Sequence, residues 1–390
     1  MVLVQKEIKA VYLWENKVRP PYKPRTFTIS RTEQSNMSSW WTYSDDASWL
    51  TAWSGDFDDF FWYSAVLLNT SGVETAEMKQ SWWVFTGAMT SLGNITSWDN
   101  VMIKFPVRWI KMTKSWSVVT LSITEELDKD GYQYYAFQTW TLSSPWTTKD
   151  AFYLGAYKWY TNSSVMKSWS WKTPTWSQTQ ATFCTQAKAN GSWYNIIGFY
   201  QRQYINALYM MKYGNPNSQS VVWQWYVWWS SAPKTWWTDS QTNATYWTTS
   251  NTTQCKLFWL ENRRWVLHEW LGGTYTDGSK QLCTMLSGWN WAVSWWEGTW
   301  TTINNWNYTD LSAIAGNNKA MFASLNAVNN SSFNTYYSDT VLVYASGLVY
   351  AGGCYGDYAA AGAFYLRWGY DATRADSIVG TRLMYLNWLT

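Results

Sequence analysis

The sequence predicts an α+β fold, and three observations carry that expectation. From Asp56 onward, short runs of β-branched and aromatic residues alternate with turn residues, as hairpins require. Between Tyr194 and Tyr213 the residues Ile197, Tyr200, Tyr204, Ala207, Leu208 and Met211 fall close to one helical face, and Gly214-Asn215-Pro216 closes the stretch. Strands resume at Thr340-Val341-Leu342-Val343-Tyr344, so the long helix is flanked by β structure on both sides.

Taken in order, residues 1–25 end in Arg19-Pro20-Pro21-Tyr22-Lys23-Pro24, a proline-rich segment without a core of its own, expected as an extended arm. Residues 26–54 alternate Thr and Ser with apolar residues and are expected as a small β element of one or two strands. Residues 55–390 form the main domain. Its first strands are expected at Tyr63–Leu68, Val101–Val107, Val118–Ile123 and Tyr132–Phe137. Asp128-Lys129-Asp130-Gly131 is a turn and not a calcium loop, because the further spaced acidic ligands are missing. A short helix over Thr182–Ala189 precedes the long one. Residues 215–255 and 286–318 are long, polar and poor in aliphatic residues, as connections are when they are functional or held by a large scaffold.

Composition excludes several function classes. The 29 basic and 26 acidic residues leave a formal charge of only +3, without the Lys/Arg stripe of a nucleic-acid binder. The first residues, Met1-Val2-Leu3-Val4-Gln5-Lys6-Glu7-Ile8-Lys9, carry charges where a signal peptide has an apolar run, and no stretch supplies the roughly 18 apolar residues of a membrane span. Cys184, Cys255, Cys283 and Cys354 are widely separated, and His268 is the single histidine, so no metal or other cofactor is expected. A disulfide such as Cys255 to Cys283 cannot be chosen among the connectivities four cysteines allow.

Tryptophan is anomalous: 36 residues against 22 glycines. Many stand in polar loops where the backbone asks for glycine, as in Lys114-Ser115-Trp116-Ser117, Trp236-Trp237, Trp295-Trp296-Glu297-Gly298 and Asn305-Trp306-Asn307. Such placement is expected if these tryptophans are UGA codons that the source reads as glycine.

Near the C-terminus, Gly352, Gly353, Gly362, Ala363, Phe364, Leu366, Gly380 and Leu383 are interleaved with residues of every chemical kind. Four blocks over about residues 95–385 carry a resemblance: Asp99–Pro106; Ala181–Gly191 with the helix ending Leu208–Gln219; Leu260-Glu261-Asn262-Arg263-Arg264-Trp265-Val266-Leu267-His268-Glu269-Trp270; and the C-terminal Gly-Gly, Ala-Gly-Ala-Phe and Gly-Thr-Arg-Leu block. The chain resembles a variable protein of a diversity-generating retroelement, or a phage-type adhesin. The fold that this resemblance implies is C-type-lectin-like, of the formylglycine-generating-enzyme subtype. The third block matches that family's signature where Trp259 and Trp265 stand for glycine.

The resemblance implies binding without catalysis, through a C-terminal region, residues 350–383, in which codons rich in adenine are diversified. Cys354, Tyr355, Asp357, Tyr358, Tyr365, Arg367, Tyr370, Asp371, Arg374, Asp376 and Ile378 have the spacing of such contact positions. Their tyrosines and arginines have the composition of antibody-like surfaces. The expected partner is a protein or cell-surface ligand. The expected setting is a virion or cell surface, reached through the N-terminal arm or in a homo-oligomer. Two alternatives stand beside it: a formylglycine-generating-type oxidase, for which Cys354 is the nearest candidate although no second cysteine is close in sequence, and a carbohydrate-binding lectin, suggested by the aromatic count. His268 and Glu269 invite an acid/base reading, but no catalytic residue is expected, since Glu269-Trp270 matches a structural turn of the family and Glu261 is likewise structural.

Overall fold

The computed structural model describes residues 23–32, 41–78, 80–81, 84–85, 99–116, 118–139, 147–215, 218–221, 234–235, 238–241, 243–247, 255–262, 267–284, 297–302, 339, 341–354, 357, 361–371 and 373–386. The arm expected over 1–25 lies almost wholly outside them, as do most of the two long polar stretches. The described chain is mostly β-sheet with few helices.

Three sheets carry the architecture. The first has the order β2 (Thr42–Asp45), β1 (Thr26–Thr32), β7 (Val118–Thr124) and β6 (Trp109–Ser115), all antiparallel. The small β element expected over 26–54 thus shares a sheet with β6 and β7, Phe27 standing opposite Ile123 and Ile29 opposite Leu121. The second sheet has the order β9 (Tyr194–Ile196), β17 (Leu383–Tyr385), β8 (Ala151–Gly155), β5 (Asn100–Pro106), β3 (Ser64–Leu68) and β4 (Glu74–Met78). The third runs β12 (Glu297–Thr302), β11 (Gln281–Thr284), β10 (His268–Thr276), β14 (Leu348–Ala351), β15 (Leu366–Tyr370) and β13 (Val341–Val343). A short strand, β16 (Val379–Gly380), pairs in parallel with the start of β10.

Helices α1 (Asp56–Phe61), α2 (Gln180–Lys188) and α3 (Phe199–Tyr213) fill the spaces between. In α2, Thr179 supplies the N-cap, its hydroxyl accepting from the Thr182 N–H at 3.1 Å. The long helix begins five residues later than expected. Tyr194–Ile196 pair with β17 instead, and Gly198, in extended backbone, caps a helix that starts at Phe199. Nor is it one-sided: all fifteen residues are buried, because β10, α1 and β1 surround it. Some of its polar side chains find partners on the neighbouring elements, while both polar atoms of the Gln203 amide are buried without a hydrogen bond. Lys212 Nζ lies 2.6 Å from Asp58 of α1, and Gln201 donates to the Ala136 carbonyl at 2.6 Å. The strand expected at Tyr132–Phe137 reduces to one bridge, Gln133 with Ile110, followed by a 3-10 turn. The Gln133 side chain takes the Tyr135 N–H at 2.8 Å and so competes with ladder formation.

Several tryptophans occupy left-handed backbone. Helix α3 ends with Gly214 at φ 56, whose N–H donates to the Met210 carbonyl, the usual glycine cap. Helix α1 ends in the same conformation with Trp62 at φ 50, whose N–H donates to the Asp58 carbonyl. Trp116 opens the two-residue connection between Ser115 and Val118, where tight hairpins require positive φ. It has φ 53 and is 95% exposed, so its ring contributes no burial to offset the strain. Trp116→Gly is expected to stabilise the chain by about 1 kcal/mol, read as a higher urea midpoint at unchanged slope; a lower midpoint would show that the indole is favourable there.

Candidate functional site

At the junction of the second and third sheets lies a buried ion network. Glu269, in β10, places Oε1 2.8 Å from Lys158 Nζ and 3.1 Å from Arg382 Nε, and Oε2 2.8 Å from an Arg202 guanidinium nitrogen. All four side chains are at most 1% exposed. Lys158 follows β8, Arg202 belongs to α3, and Arg382 immediately precedes β17. The cations also donate to backbone: Arg382 to the Gly155, Ala156 and Glu261 carbonyls, Lys158 to that of Leu267, and Arg202 to that of Ala363. Burial alone would raise the Glu269 carboxyl, but Lys158, Arg382 and Arg202 outweigh it and hold the group well below the usual carboxylate range. Lys158 itself is lowered to about 7, first by burial and then by the two guanidiniums, against the pull of Glu269.

Glu269 and Trp270 therefore sit in a strand and not in the expected turn, and their role is to join elements. Thr381 Oγ1 donates to the Trp270 carbonyl at 2.8 Å, so Gly-Thr-Arg-Leu clasps His-Glu-Trp twice. Glu261, also buried, accepts from the Thr238 N–H and hydroxyl.

The C-terminal stretch divides by burial. Gly352 (φ 90) and Gly353 (φ 76) turn the chain after β14, and a Cβ on Gly353 would lie 2.2 Å from that of Ala361. This turn brings Cys354 and Asp357 over His268. Asp357 Oδ2 accepts the Cys354 N–H at 2.7 Å and lies 3.3 Å from His268 Nε2, yet neither imidazole nitrogen makes a hydrogen bond. The His268 ring, fully buried, is held by Tyr350 at 4.3 Å and by Tyr365, stacked at 5.3 Å. Burial, then Arg367 and Lys158, keep it neutral, and burial raises the Asp357 carboxyl.

Of the expected contact residues, Cys354 (2% exposed) and Tyr365 (1%) thus face inward, a correction whose cause is the His268 pocket they close. Tyr355 and Tyr358 lie outside the described residues. Arg367 and Tyr370 on β15 and Asp376 and Ile378 beyond it are half-buried, and Asp371 and Arg374 are exposed. These form one patch. The Arg367 guanidinium lies 5.4 Å and that of Arg374 4.6 Å from the Tyr370 ring, and Arg374 pairs with Asp376 at 2.7 Å. Asp371 accepts from the Thr373 N–H and hydroxyl, while the Asp376 carbonyl accepts from Ser177 N–H and the Ile378 carbonyl from His268 N–H, so local bonds shape the loop and backbone bonds tie it to the body.

Sequence reading missed Lys158 and Arg202 as partners of Glu269 and the closeness of His268, Cys354 and Asp357. Nothing in local spacing marks these residues.

Glu269→Gln would leave Lys158, Arg202 and Arg382 buried against a neutral amide, and a loss of about 3 to 5 kcal/mol in unfolding free energy is expected. Because the folded-state pKa of Glu269 lies below its ordinary 4.5, the network's contribution is complete above that pH and is lost as pH falls below it. The wild type should therefore lose more stability on acidification than Glu269→Gln does, and parallel pH profiles from chemical denaturation would contradict this assignment.

Among the described residues, no helix is long and apolar enough to cross a membrane. Comparison of the chain with protein-family models and with curated proteins finds no match.

Proposed function

We propose that the chain is a non-enzymatic ligand-binding protein with a C-type-lectin-like domain of the formylglycine-generating-enzyme subtype. In this reading it is the variable protein of a diversity-generating retroelement, or a phage or cell-surface adhesin, and it works outside the cell or on a virion. The observation that carries the reading is the division of residues 350–383 into a fixed inner set and a free outer set. Ala363, Phe364, Leu366, Trp368 and Leu383 are buried, while Arg367, Tyr370, Asp371, Arg374, Asp376 and Ile378 reach the surface between them. The meeting of Glu269-Trp270 with Thr381-Arg382 adds support, since two blocks of the family resemblance become one interaction.

The outer set suits recognition of a protein or cell-surface ligand. Tyr370 offers a broad amphipathic ring at small entropic cost, and Arg367 and Arg374 supply charge already oriented against it. The N-terminal arm would serve as the attachment point.

Simultaneous randomisation of positions 367, 370, 371, 374, 376 and 378 is expected to leave most clones cooperatively folded, with unfolding free energies scattered by about 0.5 kcal/mol per position, and to change which ligand is selected. General loss of folding would sink the reading. In the source DNA, a near-copy of the codons for residues 350–383 beside a reverse-transcriptase gene, differing at adenines, is the genetic counterpart of the same expectation.

A further inference from the structure

We propose that His268, Cys354 and Asp357 form a binding site for a divalent transition metal of the zinc class. Their ligand atoms, an imidazole nitrogen, a thiol sulfur and a carboxylate oxygen, lie within 4.8 Å of one another. One nitrogen, one sulfur and one oxygen donor select a borderline metal over calcium or magnesium, which take oxygen ligands. The independent observation is the imidazole. His268 is completely buried, neither nitrogen has a hydrogen-bond partner, and Nε2 lies 3.3 Å from the carboxylate of Asp357. A buried polar group left in that state costs free energy, and a metal ion shared with Cys354 and Asp357 removes the cost.

The surroundings fit a first shell held in place. Tyr350 and Tyr365 fix the imidazole plane, and the Gly352-Gly353 turn sets Cys354 over it. Asp357 is the outermost of the three, with a side chain 21% exposed, so a water or a donor from a bound partner can complete a tetrahedron from its solvent side. Coordination replaces protons: the thiol releases one, the Asp357 carboxyl releases its own where it carries one, and the neutral imidazole binds through its lone pair. The ion would pin the segment after β14 to the first residue of β10.

The single histidine makes the test direct. Full-length protein without a histidine tag is stripped with chelator and titrated with zinc, while the imidazole resonances of His268 are followed by NMR. One equivalent should shift them. Cobalt in place of zinc should give a thiolate-to-metal absorption band that Cys354→Ser removes. Asp357→Asn should weaken binding by more than the roughly 10- to 100-fold that loss of an outer-shell partner costs. Unmoved imidazole resonances at saturating zinc, or a cobalt band that persists in Cys354→Ser, overturns the proposal. If Cys354→Ser fails to fold, the wild-type resonances decide alone.

A different observation carries a second inference. Among the described residues, the non-glycine positions at positive φ include Trp53 (φ 78), Trp62 (φ 50), Trp116 (φ 53), Trp171 (φ 62) and Trp259 (φ 64). A bulky side chain is strained there, and the short polar side chains that tolerate the region owe this to local hydrogen bonds that indole cannot make. We infer that these five positions are glycine in the native protein, through UGA codons read as glycine. All five codons should be UGA, and peptide mass spectrometry of the protein from its source should give glycine at each. UGG codons, or tryptophan masses at these positions, overturn it.

Discussion

The carboxylate of Glu269 is the point on which the two larger sheets depend. It is one anion facing three cations, each delivered by a different part of the chain: Lys158 after β8, Arg202 from α3 and Arg382 before β17. Charges at this depth are costly to desolvate, and a single ion pair would scarcely offset that cost. What makes the cluster tolerable is the set of carbonyls around it, from Gly155, Ala156, Glu261, Leu267 and Ala363, which accept the N–H groups Glu269 cannot reach. Each partner is therefore specified by position as well as by charge, and the arrangement fixes how β10 meets β8 and β17.

From this anchor an ordered series of rings leads to the surface. His268 precedes Glu269 in β10, stacks on Tyr365 and meets Tyr350 at a tilt; Tyr350 stacks on Tyr370 at 5.1 Å; and Arg374 caps Tyr370 from solvent. A surface built on such a column is preorganised. Less side-chain freedom remains to be lost when something binds, which is where rigid aromatic surfaces gain their affinity.

The legible part of the fold was the part set by local chemistry. β3, β5, β7 and α2 follow from runs and caps within a few residues of their observed ends, and the Asp128–Gly131 turn from its own composition. The long helix was displaced because Tyr194–Ile196 read equally as helix or strand, and only pairing with Leu383–Tyr385, almost two hundred residues away, decides between them. Its all-round burial was invisible for the same reason: Arg202 and Lys212 look like a solvent face until Glu269 and Asp58 arrive from elsewhere. In the C-terminal stretch, alternation located the region but could not sort it. Cys354 and Tyr365 fit the alternation as well as Tyr370 and Arg374 do, and the difference lies in His268, which local sequence does not bring near.

That sorting bears on how such a stretch could hold the proposed variety. In β15 the buried Leu366 and Trp368 alternate with the half-buried Arg367 and Gly369, so the pleat separates inward from outward positions one residue at a time. The two classes are insulated only where the backbone is fixed independently of the outer side chains. Here Glu269 fixes it from below through Arg382 and the Ala363 carbonyl, and β14 and β13 fix it from either side. The outer residues can then differ without moving the strand that carries them. Cys354 and Asp357 belong to neither class: they lie within the expected contact positions yet close on a buried histidine, so exchange at either would alter the frame itself.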